Sequence, residues 1–309
     1  MSDNNEVNQE TKKFRTRTLN DPDRVFEHNA WDDVELDEED ITRAKEIIKT
    51  QSENKVEEGL KEKYDEEAVN YWDQFYSMNE NKFFKNRNWL QMEFPELFPK
   101  AEDTVSTHPI LELKNVFTVM EIGCGTGATA YPLLESNPSS NLRVLACDFS
   151  KVAVDLVKSN KKFDENRQKA FVWDMTSLEL PSEVTPGSVD IITLIFSFSA
   201  IKPAKWDQVI KNLYELLKPG GIVLFRDYGQ YDMAQLRFKK RRYLEENFYV
   251  RGDGTQVYFF TQEQLADIFG KKFNVLKNEV DRRLIVNRHR QLKMYRVWLQ
   301  AKFQKPIEE

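Results

Sequence analysis

Three glycines and a carboxylate stand directly behind a short apolar run, a pattern typical of a nucleotide-cofactor loop. The run covers residues 116–120, and Glu121 is followed by Gly123, Gly125 and Gly127. Glycine lets a strand end in a tight turn and lets a ligand lie against bare backbone. The loop is therefore a candidate site for a nucleotide or nucleoside cofactor.

Two more carboxylates stand where later apolar runs end. Asp148 follows the run 142–147, and Asp174 follows the run 171–173. In parallel sheets, ligands bind beyond the carboxyl ends of the strands, so we expect both acids to lie close to the glycine loop. A carboxylate there can accept hydrogen bonds from ribose hydroxyls or from an adenine amine.

Apolar runs alternate with helical segments along the chain and predict the strands that hold these residues in place. The predicted strands cover 116–120, 142–147, 171–173, 189–195 and 222–225. Such alternation predicts an α/β fold with a largely parallel sheet. The later runs 273–280 and 294–303 predict a closing antiparallel pair. This pair fits a class I, Rossmann-like, seven-stranded methyltransferase sheet better than a six-stranded dinucleotide-binding sheet.

The cofactor is a choice between S-adenosylmethionine and a dinucleotide. An acid before the first glycine, an acid after the third strand and the Lys-Pro-Gly-Gly turn at 218–221 favour S-adenosylmethionine. A hydride-transfer enzyme requires none of these features. A dinucleotide-binding fold or a degenerate nucleotide fold is the alternative.

Positive charge is concentrated in the last third of the chain, although the net charge is −6. Residues 226–305 contain 18 Lys and Arg against 9 Asp and Glu. If these side chains share a face, they form an electrostatic footprint for phosphate; the alternative is an ordinary solvated surface. The candidates are Arg237, Lys239, Lys240, Arg241, Arg242, Arg251, Arg282, Arg283, Arg288, Arg290, Lys293 and Arg296.

Composition argues against several classes of protein. No apolar stretch approaches the roughly 20 residues that cross a bilayer, and the first ten residues do not form a signal or transit sequence. The two cysteines, Cys124 and Cys147, do not make a disulfide framework. Three separated histidines give no ligand spacing, so no metal is expected. We predict a cytoplasmic protein.

Three regions are predicted along the chain. Residues 1–20 are polar and predict a disordered tail. Residues 21–105 predict a mainly helical region that caps cofactor and substrate. Its stretch 38–76 is helix-like, with Asp37 or Asp40 as a cap at the start, and a linker is predicted at 101–109. Residues 106–309 predict the methyltransferase domain.

From about residue 21 to residue 306 the sequence resembles the tRNA N3-methylcytidine methyltransferases, which modify the anticodon loop. Segments 26–32 and 280–283 are most similar to the subgroup that acts on threonine tRNAs. Two departures are Ala128, where relatives often have Asn, and Ser197-Phe198, where they often have Val-Leu. The matching strings lie at 26–32, 71–76, 83–87, 194–196, 225–229 and 247–255.

The resemblance implies a site for S-adenosylmethionine built from seven residues. Its members are Trp72 and Tyr76 covering the methyl donor, Gly123 and Gly125 lining it, Asp148 at the ribose hydroxyls, Asp174 at the adenine amine and Ile195 packing on the pocket. The alternative for the two aromatic residues is a core stripe. The alternative for Asp174 is a helix N-cap.

A cytosine target simplifies the chemistry, because its N3 carries a free lone pair that can attack the sulfonium methyl directly without a general base. The product ring is cationic, so a nearby acceptor for the exocyclic amine would help. Asp227 is the candidate, and its neighbours Arg226 and Tyr228 are counted with it as candidate catalytic residues; the alternative for Asp227 is a structural acid paired with Arg226.

An RNA substrate calls for stacking rings and phosphate-binding cations. Phe84, Tyr228, Tyr249 and Phe259 are available for stacking. Lys85, Arg87, Arg237 and Arg251 could hold phosphates. An aminoacyl-tRNA synthetase or another helper protein is left open as a partner.

Other activities fit less well. Cytosine C5 methylation needs a cysteine beside the target, and exocyclic amine methylation commonly uses an Asn or Asp followed by Pro-Pro and an aromatic residue, unlike the string 196–199. A small-molecule methyltransferase would not need the basic region. A non-catalytic binding partner would have no need to retain Glu121, Asp148 and Asp174 together.

Overall fold

The computed structural model describes residues 17–98, 116–137 and 141–307. The predicted linker at 101–109, the predicted boundary between residues 105 and 106 and most of the predicted tail lie outside the described residues. Within the described part of the chain there are an eight-stranded sheet and a three-stranded sheet. The strands are β1 Ala30–Asp32, β2 Phe117–Ile122, β3 Leu142–Asp148, β4 Gln168–Val172, β5 Val189–Ile195, β6 Leu217–Tyr228, β7 Tyr243–Glu245, β8 Phe248–Val250, β9 Gln256–Tyr258, β10 Asn274–Asn287 and β11 Leu292–Gln304.

The large sheet has the order β1-β10-β11-β6-β5-β2-β3-β4. Strands β4, β3, β2, β5 and β6 pair in parallel. Strand β11 then runs antiparallel to β6, and β10 runs antiparallel to β11. The predicted parallel core and its closing antiparallel pair are therefore confirmed. Strand β6 is longer than predicted because the Lys-Pro-Gly-Gly turn itself lies within it.

An eighth strand, β1, comes from the N-terminal region and pairs antiparallel with β10. Trp31 anchors it: the ring is buried beside Leu284 and Tyr295, and its Nε1 donates to the carbonyl of Val25 at 2.8 Å. The sequence did not predict this strand because three residues are too few to show a period-two pattern.

The helices are α1 Glu38–Ser52, α2 Glu58–Glu66, α3 Ala68–Asn79, α4 Leu90–Glu93, α5 Ala130–Ser136, α6 Lys151–Ser159, α7 Trp206–Leu216, α8 Met233–Leu236 and α9 Gln262–Gly270. Three helices, α1 to α3, cover the helix-like stretch predicted at 38–76. Asp37 caps α1 by accepting a hydrogen bond from the amide of Asp40 at 2.7 Å. The break follows because buried Val56 donates its amide to the carbonyl of Tyr243 at 3.0 Å.

Helices and loops cover both faces of the parallel strands, which explains why β2 and β5 are apolar along most of their length. The largest core cluster joins β5, β6, α7 and α9 through side chains such as Leu213, Phe225, Phe269 and Phe303. No helix among the described residues is long and apolar enough to cross a membrane. The carboxyl ends of β2, β3 and β5 are left to form a shared cavity.

Candidate cofactor and substrate site

A cavity lies at the carboxyl ends of the parallel strands. Five of the predicted cofactor residues line it: Trp72, Tyr76, Gly123, Asp148 and Asp174. The remaining lining residues are Ile122, Phe149, Trp173, Met175, Phe196, Ser197, Ala200 and Ile201.

The glycine loop forms a cradle that would be filled by any side chain. Gly123 has φ +71°, and a Cβ at this position would lie 2.4 Å from the Cβ of Ser197. Gly125 has φ +52°, and a Cβ there would lie 2.9 Å from the hydroxyl oxygen of Tyr76. Left-handed backbone and close approach together require glycine at both positions. The narrow cradle fits a cofactor held against backbone.

Asp148 is buried at the end of β3 with acceptor capacity to spare. Its Oδ2 accepts the amide of Gly125 at 2.9 Å, and its Oδ1 accepts the amide of Ser150 at 3.0 Å. Burial raises the pKa of this carboxyl to about 6, although the two amide hydrogen bonds act in the opposite direction. A carboxylate has about four acceptor sites, so Asp148 can still receive two hydroxyls.

Helix α3 places two aromatic rings over the pocket. Trp72 and Tyr76 are one helical turn apart and stack with ring centroids 5.6 Å apart. Between them, Asp73 accepts hydrogen bonds from the hydroxyl of Ser150 and, at 3.4 Å, from the amide of Val152, at the start of α6. Asp73 therefore ties the N-terminal region to the sheet domain beside Asp148.

Asp174 borders the pocket in a turn after β4. Its Oδ1 accepts the amide of Thr176 at 2.8 Å. No helix follows it, so the alternative role of helix N-cap is excluded. The side chain remains a candidate acceptor for the adenine amine.

Arg87 does not face solvent, so the prediction that it holds a phosphate was wrong. Its guanidinium contacts Glu121 at 3.2 Å and donates to the carbonyl of Ile195 at 3.0 Å. Glu121 also accepts the amide of Ala130 at 3.0 Å. Burial raises the pKa of Glu121 to about 7 and lowers the pKa of Arg87. This pair fastens the glycine loop to the end of β5.

Two of the other predicted site residues, Ile195 and Asp227, are buried and do not line the pocket. Ile195 does not line the pocket, because its side chain packs in a core cluster with Val119 and Leu224. Asp227 is 0% exposed and accepts the amides of Ser199 at 2.8 Å and of Tyr228 at 2.9 Å. Its predicted contact with the target amine was therefore wrong: the carboxylate holds the loop after β5 against β6.

Arg226 is a buried structural residue, and its ionic partner is Asp281 rather than Asp227. It also donates to Gln300, and its guanidinium carbon lies 5.2 Å from the ring centroid of Trp89 and 5.1 Å from that of Trp298. Arg226 therefore ties β6 to β10 and β11, and a catalytic role for it stays a prediction.

The predicted stacking residues divide into buried and accessible ones. Tyr249 is 0% exposed, and its hydroxyl donates to Oε1 of Gln51 at 3.0 Å, so it cannot stack on a base. Phe259 is also fully buried. Phe84 is half-buried against Phe75 and Tyr76. Tyr228 is half-buried and packs on Phe196 with ring centroids 5.1 Å apart.

Lys85, Arg237 and Arg251 remain candidate phosphate contacts, but they differ in exposure. Lys85 and Arg237 are exposed, and Arg237 contacts Met294, which borders a surface hollow with Arg288. This places the loop after α8 beside the tip of the β10–β11 hairpin. Arg251 is half-buried and donates to the carbonyl of Gln256 at 3.1 Å, so only part of its donor capacity is available.

Several pocket residues were not predicted. Phe196 and Ser197 follow β5 directly, and the end-of-strand rule that identified Asp148 could have identified them. The hydroxyl of Ser197 is buried and has no hydrogen-bond partner among the described residues, which fits a polar ligand in the pocket. Asp73 does not line the pocket and stands at no strand end, so this rule could not have identified it.

The side chains around the pocket can hold a nucleoside and a methyl donor. Carboxylates, a narrow glycine cradle and an aromatic cover suit ribose, adenine and a sulfonium group, whose positive charge is attracted to aromatic faces. Within residues 17–98, 116–137 and 141–307, no three His, Cys, Asp or Glu side chains are grouped as metal ligands.

Strand order, glycine loop and carboxylates together define a class I S-adenosylmethionine-dependent methyltransferase. Residues 120–223 match a family described as methyltransferase domain. A solved S-adenosylmethionine-dependent methyltransferase of Methanosarcina mazei shares the fold, with a TM-score of 0.50 and 19% identity over 66% of this chain and 100% of its own.

Proteins of similar sequence identify the family within this class. The tRNA N(3)-methylcytidine methyltransferase trm140 of Schizosaccharomyces pombe is 50% identical over 95% of this chain and 92% of its own length. The tRNA(Thr) (cytosine(32)-N(3))-methyltransferase of Saccharomyces cerevisiae is 50% identical over 95% of this chain, which spans 46% of that protein. The chain belongs to the tRNA N3-methylcytidine methyltransferase family. The predicted family, fold class, enzyme class and cofactor are thereby confirmed.

Proposed function

We propose that this chain transfers a methyl group from S-adenosylmethionine to N3 of cytidine 32 in the anticodon loop of tRNA, with threonine tRNA as its substrate. The observation that carries the proposal is the 50% identity to the yeast enzyme named for this position. The pocket geometry supports the same conclusion, because the carboxylates and the glycine cradle of this chain suit the methyl donor.

The chain's own residues perform binding and orientation. When bound, S-adenosylmethionine supplies an electrophilic methyl group. Asp148 and Asp174 would hold its ribose and adenine, and Trp72 and Tyr76 would exclude water above it. Cytosine N3 has a free lone pair, so no side chain has to remove a proton, and catalysis rests on orientation and desolvation.

The substrate side is supported by charge. Arg283, Arg288 and Arg290 are exposed on the β10–β11 hairpin, and Arg237 is exposed beside it. Positive side chains that contact phosphates release counterions, so binding weakens as salt rises. We expect replacement of Arg288 and Arg290 by Ala to lower both tRNA affinity and its salt dependence. The matched control is Lys158→Ala, an exposed lysine of α6.

The decisive experiment is methylation of total tRNA by the purified chain, followed by nucleoside analysis and mapping of the modified position. We expect N3-methylcytidine at position 32 of threonine tRNA, and no product from Asp174→Ala. Product at another base or ring atom would contradict the proposal. Methylation that appears only after adding an aminoacyl-tRNA synthetase or cell fractions would reveal a helper protein. The cytoplasmic location stays a prediction.

A further inference from the structure

Phe196 stands between two cavities of the molecule. It lines the cofactor pocket, and it also lines a second cavity of about 300 Å³. We call the second one the Trp89–Trp298 cavity, after the two tryptophans in its wall. Three arginines, Arg226, Arg282 and Arg283, and four carboxylates, Asp32, Asp33, Glu93 and Asp281, also line it. A side chain shared by both cavities is placed to meet a substrate that must approach the cofactor from outside.

The backbone of Phe196 is held in an uncommon conformation. Its φ is +55°, a left-handed value that bulky side chains rarely adopt. The amide donates to the carbonyl of Arg226 at 2.8 Å, and the guanidinium carbon of Arg87 lies 6.0 Å from the ring centroid. Such conformations persist where surrounding structure imposes them and cluster at functional sites. The ring is therefore fixed in position while one part of it stays exposed.

The Trp89–Trp298 cavity has the chemistry of a nucleotide site. Aromatic rings stack on bases, and arginines bind phosphates. The Nε1 of Trp298 is buried without a hydrogen-bond partner among the described residues, so it is a donor that a carbonyl or phosphate oxygen could satisfy. Arg283 pairs with Asp32 at 3.3 Å and is half exposed, which leaves donors for a ligand.

We propose that the target cytosine enters through the Trp89–Trp298 cavity and stacks on the ring of Phe196, with its N3 edge directed into the cofactor pocket. This inference rests on the proposed function and adds a stacking residue to it. The ring of Phe196 can also stabilise the positive charge of the product, which buried Asp227 cannot contact. Methylation at N3 makes the cytosine cationic, and an aromatic face attracts a cation.

The test compares Phe196→Leu with Phe196→Tyr. Leu keeps an apolar side chain of similar size and removes the aromatic face, whereas Tyr keeps the face. Loss of one base–aromatic stack lowers kcat/KM by roughly tenfold to a hundredfold. Much of this loss should appear in kcat, because the ring stabilises the positive charge that the cytosine acquires only as the methyl group is transferred. Phe196→Tyr should stay within about threefold of the wild type. Because Phe196 also lines the cofactor pocket, both variants are assayed at saturating S-adenosylmethionine, with cofactor affinity measured separately by calorimetry.

A binding measurement separates stacking from turnover. An anticodon stem-loop RNA with fluorescent pyrrolocytosine at the target position should be quenched by the wild type and by Phe196→Tyr, and far less by Phe196→Leu. Equal quenching and methylation rates within threefold for wild type and Phe196→Leu would overturn the stacking role. A wild type that quenches the probe but methylates no cytidine would instead overturn the proposed function and leave the stacking site standing.

Discussion

The cofactor side and the RNA side of this enzyme are built by different means. On the cofactor side, Gly123, Asp148 and Asp174 line the pocket close to strand ends and offer a backbone turn and single carboxylates. On the RNA side, arginines and aromatic residues come from the N-terminal region, from β6 and from the β10–β11 hairpin, and many are absorbed into ion pairs and cores. Position along the chain predicts the first kind of residue far better than the second.

The largest effect should come from Gly123→Ala. Its Cβ would lie 2.4 Å from the Cβ of Ser197 inside the pocket, at a left-handed backbone. We expect S-adenosylmethionine binding to weaken by roughly a hundredfold or more, since several ligand contacts would be displaced at once. Calorimetry measures this change.

Gly187→Ala is the matched control for this substitution. Gly187 has a similar φ of +67°, but nothing lies within 4 Å of a Cβ at that position. The control therefore carries the backbone strain without the collision. Equal binding losses in the two variants would show that strain alone, and not the shape of the cradle, is responsible.

The two sides differ in how many of their residues the sequence could predict. Strand positions and the acids at their ends follow from apolar runs and a chain-order rule, so the parallel core and Asp148 were found. Burial of a polar side chain depends on distant partners. Arg87 meets Glu121, and Tyr249 meets Gln51 across nearly 200 residues, so neither partnership leaves a local pattern. Composition alone therefore predicted RNA contacts for some basic and aromatic residues that are in fact buried.

The affinity for S-adenosylmethionine should also depend on the protonation of Asp148. Burial raises the pKa of Asp148 to about 6, so the acceptor carboxylate is present above pH 6 and lost as pH falls through it. We expect S-adenosylmethionine to bind about tenfold more weakly at pH 5 than at pH 7. The contribution of Asp148 to folding stability has the opposite sign, since the folded state retains the proton and loses stability as pH rises from about 4 to 6.

Asp227→Asn provides the control for the pH profile. The pKa of Asp227 is also raised to about 6 by burial, but this residue does not line the cofactor pocket. Its replacement should leave the profile of cofactor affinity unchanged. Calorimetry in buffers of different ionisation enthalpy should detect proton release on binding at pH 5.5. Binding independent of pH between 5 and 7 would show that ionised Asp148 is not needed.

A smaller effect should follow from Asp73→Asn, which weakens the tether between α3 and α6. At pH 8, where Asp148 is ionised in either case, we expect cofactor affinity to fall about fivefold. The hydrogen bond that Asp73 accepts from Ser150 is no longer charge-assisted in the variant, so α3 holds Trp72 and Tyr76 less firmly over the pocket. Asp155→Asn is the control, since its exposed ion pair with Lys151 lies on the same helix. Unchanged affinity in Asp73→Asn would mean that packing alone positions α3.

The smallest effect on activity should come from Tyr249→Phe, which tests the RNA side directly. Removing the hydroxyl leaves Oε1 of Gln51 without this donor in a buried place, so we expect the free energy of unfolding to fall by about 1 kcal/mol. Methylation of tRNA should stay within twofold of the wild type, because the ring is retained and cannot reach a base. Lys85→Ala should show the reverse, with unchanged unfolding and a higher KM for tRNA, since Lys85 is exposed. A Tyr249→Phe variant that is stable but defective in tRNA binding would mean that the β7–β9 sheet opens on RNA, and burial would then be a poor guide to this surface.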